Sequence, residues 1–397
     1  MSTPAAAHAK AFGLLILMLS PCAMAQVVPI ADVEALYSAL DNPAYDGATL
    51  VLAPNTYHLS RKDAYDVDRK NLGRIELRRD MTLRGVVGDQ SAVIINAYAL
   101  PQDSYPQTTK DLVATGPNAA IRMGLGRNSL EWLTVQDAWK GQANIDTGLQ
   151  KLDPGSTTIR LDHVSSTGSA RGLNALNFGP ETSGQHIDME ILNSEFYDND
   201  IGQAQGVRIG NFQGAVGSSI TIRISGSHFW NQGVGCLVVN NNAVSSKVTM
   251  ESLGNRYDHN TAGMIVMGAF SSNSTRANGN TIALEIRGDS YVENTGSVGD
   301  RGGLIVMGTE LASNAVAGGE NNTVNVKMRD TLTLDNINAD LIATGARFLM
   351  GQSATPTRNN KVTVEVKSFG TRRPVEQVND VLPIGTKYGN TAKLVRN

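Results

Sequence analysis

The sequence predicts an all-β solenoid, a parallel β-helix wound from a single chain, and three observations predict it. First, one strand recurs in nearly the same words. It reads GMIVMG at 263–268 and GLIVMG at 303–308, with relatives GLNALNFG from Gly172, GVRIGN from Gly206, GCLVVN from Gly235 and DLIATG from Asp340. Self-similarity at a period of a few tens of residues marks stacked repeats, each copy being one rung. Second, these strands are apolar on both faces. Leu237, Val239, Ile265, Met267, Ile305 and Met307 fall on one side, and Cys236, Val238, Met264, Val266, Leu304 and Val306 on the other, as in a strand buried from both directions. Third, another class of strand alternates strictly: IDMEI from Ile187, ITIRI from Ile220, VTMES from Val248, IALEI from Ile282, VNVKM from Val324 and VTVEV from Val362. Their outward residues, Asp188, Glu190, Arg223, Glu251, Glu285, Lys327 and Glu365, make an ordinary solvated face with charges of both signs.

In chain order, His8 and Lys10 precede an apolar run at 11–19 and then Ala23-Met24-Ala25, the pattern of a secretory signal peptide cleaved near Gln26. The run is too short to span a bilayer, and no later stretch reaches that length. A secreted or periplasmic protein is expected. Without the leader, Cys236 is the only cysteine, so no internal disulfide forms and packing must supply the stability. In an apolar strand Cys236 reads as a buried thiol rather than a nucleophile. The net charge of -3 gives no footprint for nucleic acid or anionic lipid. Forty glycines and five per cent aromatics suit a turn-rich β protein.

The segment 31–40 places Val33, Leu36, Tyr37 and Leu40 on one helical face behind Asp32 or Pro29, a short helix suited to plugging the end of a stack. Three β-branched segments follow at 47–59, 73–86 and 91–100, bounded by Gly, Pro, Asn or Asp. From Asn118 the rungs become regular. Eight residues after the last apolar position of most alternating strands stands an amide, at Asn199, Gln232, Asn260, Asn294 and Asn336, which predicts a ladder of side-chain amides bonded up the stack. Each rung then reads as alternating strand, tight turn with Asn, short strand, glycine, apolar strand and loop. Starts of the alternating strands are 28 to 42 residues apart, so surplus length sits in loops. Insertions at 200–205 and 295–302 precede the glycine strand, and longer ones at 268–280, 308–322 and 345–360 follow it. Together they would wall a groove along one strand row. The division expected is signal peptide 1–25, β-helix with its N-terminal cap 26–371, and tail or cap 372–397, with roughly eight or nine rungs.

The helix followed by strand, turn and strand, with Asn55-Thr56-Tyr57 and Thr82-Leu83-Arg84-Gly85, resembles the start of right-handed parallel β-helix proteins of the pectin-lyase-like superfamily. The resemblance implies a right-handed winding and a substrate groove outside the glycine-led row. It further implies activities that are mostly polysaccharide lysis or hydrolysis. The superfamily's calcium-binding carboxylates do not carry over. With the first residue after each glycine pointing in, the outward positions are Asn174, Arg208, Leu237, Ile265, Ile305 and Ile342, and calcium needs six to eight oxygens. No metal and no cofactor are expected.

Polar candidates therefore lie at the edges and the N-terminal third of that row. As catalytic candidates stand Arg208, Asp200, Arg171, Asp300 and Arg301, because an Arg beside a carboxylate neutralises a uronate or sulfate and assists proton abstraction. As substrate-binding candidates stand Asn174, Ile265, Met267, Ile305, Met307 and Trp230, the last as an aromatic for a sugar ring. Asp258 and His259 are adjacent in a turn, where side chains usually point apart. Six histidines without ligand spacing give no metal site. The outer apolar strip needs a cover, since burying each Leu, Ile or Met is worth roughly 1.5 to 3 kcal/mol. The chain's own loops rank first as that cover, a second copy second, an apolar ligand third. The expectation is an exported protein that binds or cleaves a polysaccharide along the glycine-strand groove, lyase- or hydrolase-like if it is an enzyme. The alternatives are an enzyme or carrier for an apolar small molecule in a hydrophobic groove, and a self-associating structural protein.

Overall fold

In this computed structural model the described residues are 26–77, 80–101, 119–138, 143–147, 156–199, 205–272, 276–295, 302–312, 318–337, 339–348, 357–371, 376–378 and 389–397. The leader at 1–25 lies outside them, as do Asp200, Asp300 and Arg301. Every residue-by-residue register between successive rungs is parallel: Ile187 faces Ile220, Ile220 faces Val248, and Val207 faces Cys236. The strands form a sheet of eighteen and a sheet of ten, and the chain is a parallel β-helix.

One rung shows how sequence makes the coil. His186–Leu192 alternates half-buried and buried residues, as its one polar and one apolar face demand. Asn193, at φ 48°, turns the corner into the short strand Glu195–Tyr197. Trp132, His163, Asp330 and Ser368 take the same left-handed conformation in other rungs, as do the glycines at 226, 254 and 288. A second left-handed residue, Asp198, and the amide of Asn199 then lead to the glycine-led strand Gln205–Phe212. The short strand thus precedes the amide turn instead of following it. Both arms, long and short, belong to the eighteen-stranded sheet, and the glycine-led strands lie in the ten-stranded one.

The amide ladder is present. Asn294 donates to the Tyr257 carbonyl at 3.1 Å and to Asn336 Oδ1 at 2.7 Å, while its own oxygen accepts from the Asn260 backbone N–H at 3.1 Å. A second ladder, Asn280, Asn322, Asn360 and Asn390, stands where the sequence suggested loop ends, with Asn322 Nδ2 2.9 Å from Asn360 Oδ1. Beside the first ladder, Phe196, Phe229, Tyr257 and Tyr291 stack inside the coil with ring centroids 4.7 to 5.2 Å apart. That spacing is the rung repeat itself.

The glycine that leads each apolar strand is there for space. A Cβ on Gly263 would sit 2.7 Å from the Gly303 carbonyl oxygen and 2.7 Å from a ring carbon of Tyr291. Gly172, Gly206 and Gly235 each face the next rung's carbonyl at 2.6 Å. Gly268 and Gly308 repeat this close approach further along, so the strands Ala262–Ser271 and Leu304–Leu311 run on past the point where the motif suggested loops.

At the N-terminal end the helix Val33–Asp41 is capped by Asp32, whose side chain accepts from the Ala35 N–H at 2.8 Å, and it buries Leu36, Ala39 and Leu40. Beyond 371, Glu376–Val378 pairs with Leu341–Phe348 and Thr391–Arg396 with Lys361–Thr371, adding one more strand to each sheet. Among the described residues no helix is long and apolar enough to cross a membrane.

Candidate functional site

The register of the ten-stranded sheet writes out its outer face. One outward column runs Glu76, Arg122, Asp146, Asn174, Arg208, Leu237, Ile265, Ile305, Ile342, each the Cα partner of the next. The first five are charged or polar and the rest apolar. Their inward neighbours, such as Leu173, Val207, Cys236 and Met264, belong to the main core, which settles the parity expected from the sequence.

The apolar half is closed. Leu237 and Ile265 are 7% exposed, Met267 8%, and Ile305 and Met307 1%, and they pack with Phe212, Val234, Ala262 and Ala339 into a second hydrophobic cluster. A single chain seals this strip. Ile265, Met267, Ile305 and Met307 therefore form no open groove floor, and neither a second copy nor a guest is needed to keep them from water.

The polar half is nearly as closed, with Asn174 0%, Asp146 5% and Arg122 6% exposed, and Glu76 and Arg208 are its half-buried members. Asn174 donates to Asp146 Oδ2 at 3.2 Å, and both are buried. Arg171, one strand position before Gly172, is buried beside them, with Gln205 as its register partner. Arg208, half-buried, places its guanidinium carbon 4.2 Å from the Phe212 ring centre, and its Nε has no hydrogen-bond partner among the described residues. Burial, and then the nearby charge of Arg171, push the Arg208 pKa down to about 9, against the pull of Asp146. Burial lowers Arg171 as well, with Asp146 again opposing. Arg122 lies 3.9 Å from Glu76 at the foot of the column.

Of the residues singled out from the sequence, the fold brings Arg171, Asn174 and Arg208 into this one cluster. Glu76, Arg122 and Asp146 were missed. Their strands, Ile75–Glu76, Ala119–Arg122 and Ala143–Asp146, are two to four residues long and have no leading glycine. Counting back one rung at a time from Asn174 was the signal that could have found them. Trp230 stands elsewhere, on the short-strand arm, stacked on Tyr197 at 4.4 Å and His228 at 4.2 Å.

That arm carries a second polar group. Asp258 accepts from both Arg256 Nε (3.1 Å) and Nη2 (3.2 Å), pairs with His228, and lies 2.9 Å from His259 Nδ1. The two neighbours in the turn do meet, because His259 at φ 54° swings its ring back over the strand. Burial works to raise the Asp258 pKa, but the bonds from His228 and His259 and the charge of Arg256 hold it below the usual carboxylate range. A carboxylate so thoroughly satisfied is a poor proton donor. Cys236 is fully buried with its thiol pKa pushed up by that burial, an inert core residue. Among the described residues no group of three or more His, Cys, Asp or Glu side chains could hold a metal ion.

No protein-family model matches this sequence, and no curated protein matches it. Several solved structures are similar to it in winding. The pectate lyase Pel9A is 13% identical with a TM-score of 0.42, covering 88% of this chain and 81% of that one. The A-module of the Azotobacter vinelandii mannuronan C-5 epimerase AlgE6 is 11% identical with a TM-score of 0.32, covering 93% and 96%. An alginate lyase from Paenibacillus sp. str. FPU-7 is 14% identical with a TM-score of 0.31, covering 94% and 99%.

Proposed function

We propose that this chain is an exported protein that binds an acidic polysaccharide on the outer side of the glycine-led sheet, with the half-buried Arg208 as the anion-recognising group and Arg171 buried behind it. The observation that carries the reading is Arg208 itself. Its half-buried guanidinium has, among the described residues, an Nε–H without a hydrogen-bond partner and no carboxylate bonded to it, with a second arginine nearby. Holding such a cation out of water is costly unless an anion joins it, and a planar carboxylate suits guanidinium geometry.

For lysis, the neutral guanidine form of Arg208, made accessible by a pKa depressed to about 9, would take the proton next to a uronate carboxyl. Hydrolysis by an acid and base pair would ask for two carboxylates facing one bond. In this column Glu76 and Asp146 are separated by the Arg122 rung. Lysis is therefore the reaction proposed for the site. The test is to incubate the mature protein with a panel of uronate and neutral polysaccharides, following binding, unsaturated ends and reducing ends. Retention on uronate polymers that Arg208→Gln abolishes is the expected result. Neither binding nor new ends with any uronate polymer would overturn the reading.

A further inference from the structure

We infer that the last long strands of the eighteen-stranded sheet carry a second docking strip for the acidic polysaccharide, on a face of the coil separate from Arg208. The identity of the polymer rests on the function proposed above, whereas the strip rests on its own geometry.

The outer face of the long strands carries charges of both signs, but not evenly. Near its start, Arg127 and Arg160 stand among Glu131, Asp162, Asp188 and Glu190. Near its end, on Thr323–Leu334, Lys361–Thr371 and Thr391–Arg396, the outward charges are Lys327, Arg329, Lys361, Lys367 and Lys393 against Glu365. All five of these cations are exposed, so an anion reaches them from solvent. The chain as a whole carries a net charge of -3, which makes this a local excess and not a consequence of composition.

Pairing differs as well. In the early rungs Arg84 bonds Glu131 at 2.7 Å, and Arg160 bonds Asp162 at 2.7 Å and lies 3.5 Å from Glu190. Arg287 still has Glu285 at 2.6 Å. Beyond it, among the described residues, none of the five cations makes an ion pair, although Glu285 and Glu365 are the register partners of Lys327.

Register then lines up three like charges. Arg287 faces Arg329 and Arg329 faces Lys367, one cation per rung at a spacing of about 4.8 Å. Like charges opposite one another on neighbouring strands repel, and Asp330 at the adjoining left-handed corner is a single carboxylate against the column. A polyuronate carries one carboxylate per sugar, and its extended repeat is close to one rung. Lying along the coil axis, it sets an anion beside each cation in turn. Lys361 and Lys393 widen the positive field toward the start of their strands.

Exposed contacts of this kind are individually weak and are screened by salt. The strip is therefore an auxiliary contact, which a polymer anchored at Arg208 makes as a tethered, intramolecular step. Four rung steps, about 19 Å along the axis, separate the rung of Arg208 from that of Arg329. A long polymer spans both sites, and a trimer does not.

Polygalacturonate and alginate, and trimers cut from each, are titrated by biolayer interferometry at low and high salt against wild type, Arg329→Gln/Lys367→Gln and Arg208→Gln. A control, Arg127→Gln/Arg223→Gln, removes the same charge from exposed positions earlier on the same face. Thermal melting checks each fold, and Lys361→Gln/Lys393→Gln replaces the strip variant if it does not fold. The expected result is polymer affinity about fivefold weaker in Arg329→Gln/Lys367→Gln at low salt, a difference that high salt erases. Trimer affinity in that variant, and polymer affinity in the control, should match wild type. Unchanged polymer affinity in the strip variant, an equal loss in the control, or an equal loss for the trimer overturns the strip. In each of these cases loss of trimer binding in Arg208→Gln keeps the arginine reading. Strip-dependent polymer binding that Arg208→Gln leaves intact overturns the arginine reading and keeps the strip. No binding of polymer or trimer to wild type overturns both, and strip-dependent binding to phosphatidylglycerol vesicles in place of the polymers overturns a polysaccharide as the occupant.

Discussion

The guanidinium of Arg208 rests 4.2 Å from the centre of the Phe212 ring, four residues along the same strand. A cation held on an aromatic face and, among the described residues, without a bonded carboxylate keeps its hydrogen-bonding edge available. Arg208→Gln is expected to weaken uronate binding at least tenfold in affinity electrophoresis. The thermal midpoint should stay level or rise, because a half-buried cation beside a second arginine is removed.

The same arginine gives a pH signature. Its pKa is pushed down to about 9, so the cation is present below that pH and lost above it. Uronate affinity should decline as pH rises through about 9, to an extent that grows with pH, while Arg208→Gln shows no such decline. Titration calorimetry across that range measures it, and a flat profile in the wild type counts against the role.

Asp289 is buried inside the coil, bonded by Ser252 Oγ at 2.5 Å and the Asn255 N–H at 2.9 Å. Burial raises its pKa to about 7, against the lowering influence of those bonds. The folded state therefore binds a proton that the unfolded chain releases from about pH 4 upward. Stability from this group is fully present below the unfolded pKa and is lost as pH rises toward about 7. Asp289→Asn should flatten that slope in urea melts taken at a series of pH values.

The Asn294 side chain makes four hydrogen bonds in the amide ladder. Asn294→Ala leaves a buried carbonyl, an N–H and a neighbouring amide short of partners, and about 3 kcal/mol of stability should be lost. Asn294→Gln should recover part of it, since Gln232 holds the equivalent place. Urea midpoints at constant m-value give the comparison.

Gly263→Ala should be worse tolerated than its one methyl suggests. The new Cβ meets the Gly303 carbonyl and the Tyr291 ring at 2.7 Å, so neighbouring rungs must separate. A fall in thermal midpoint of several degrees, larger than for Gly254→Ala, is expected, although Gly254 is itself left-handed at φ 63° with open space around its Cβ.

The sealed strip separates two meanings of its residues. Ile305→Asn puts an amide where 1% of the side chain is exposed, and about 3 kcal/mol of destabilisation is expected with uronate affinity unchanged in the folded fraction. Loss of affinity at full stability would instead place Ile305 in a binding surface.

The sequence by itself determined the winding. Strict alternation in strands such as His186–Leu192 and two-sided burial in strands such as Leu304–Leu311 are local consequences of which faces meet water, and the repeat of Gly263 and Gly303 announced a close approach between rungs. It also announced one amide ladder, because Asn199, Gln232, Asn260, Asn294 and Asn336 keep a constant offset from their strands. The second ladder was hidden, since loops of differing length precede Asn280, Asn322 and Asn360. Only the tertiary structure decided what lies against what. Asp146 meets Asn174 and Glu76 faces both helix and sheet because register carries each rung onto the next, and register is set by the whole stack, not by the few residues of a short strand. Likewise the apolar strip on Ile265 and Ile305 is greasy by sequence, but that one chain closes over it is a fact of three-dimensional packing, which residue type alone does not encode.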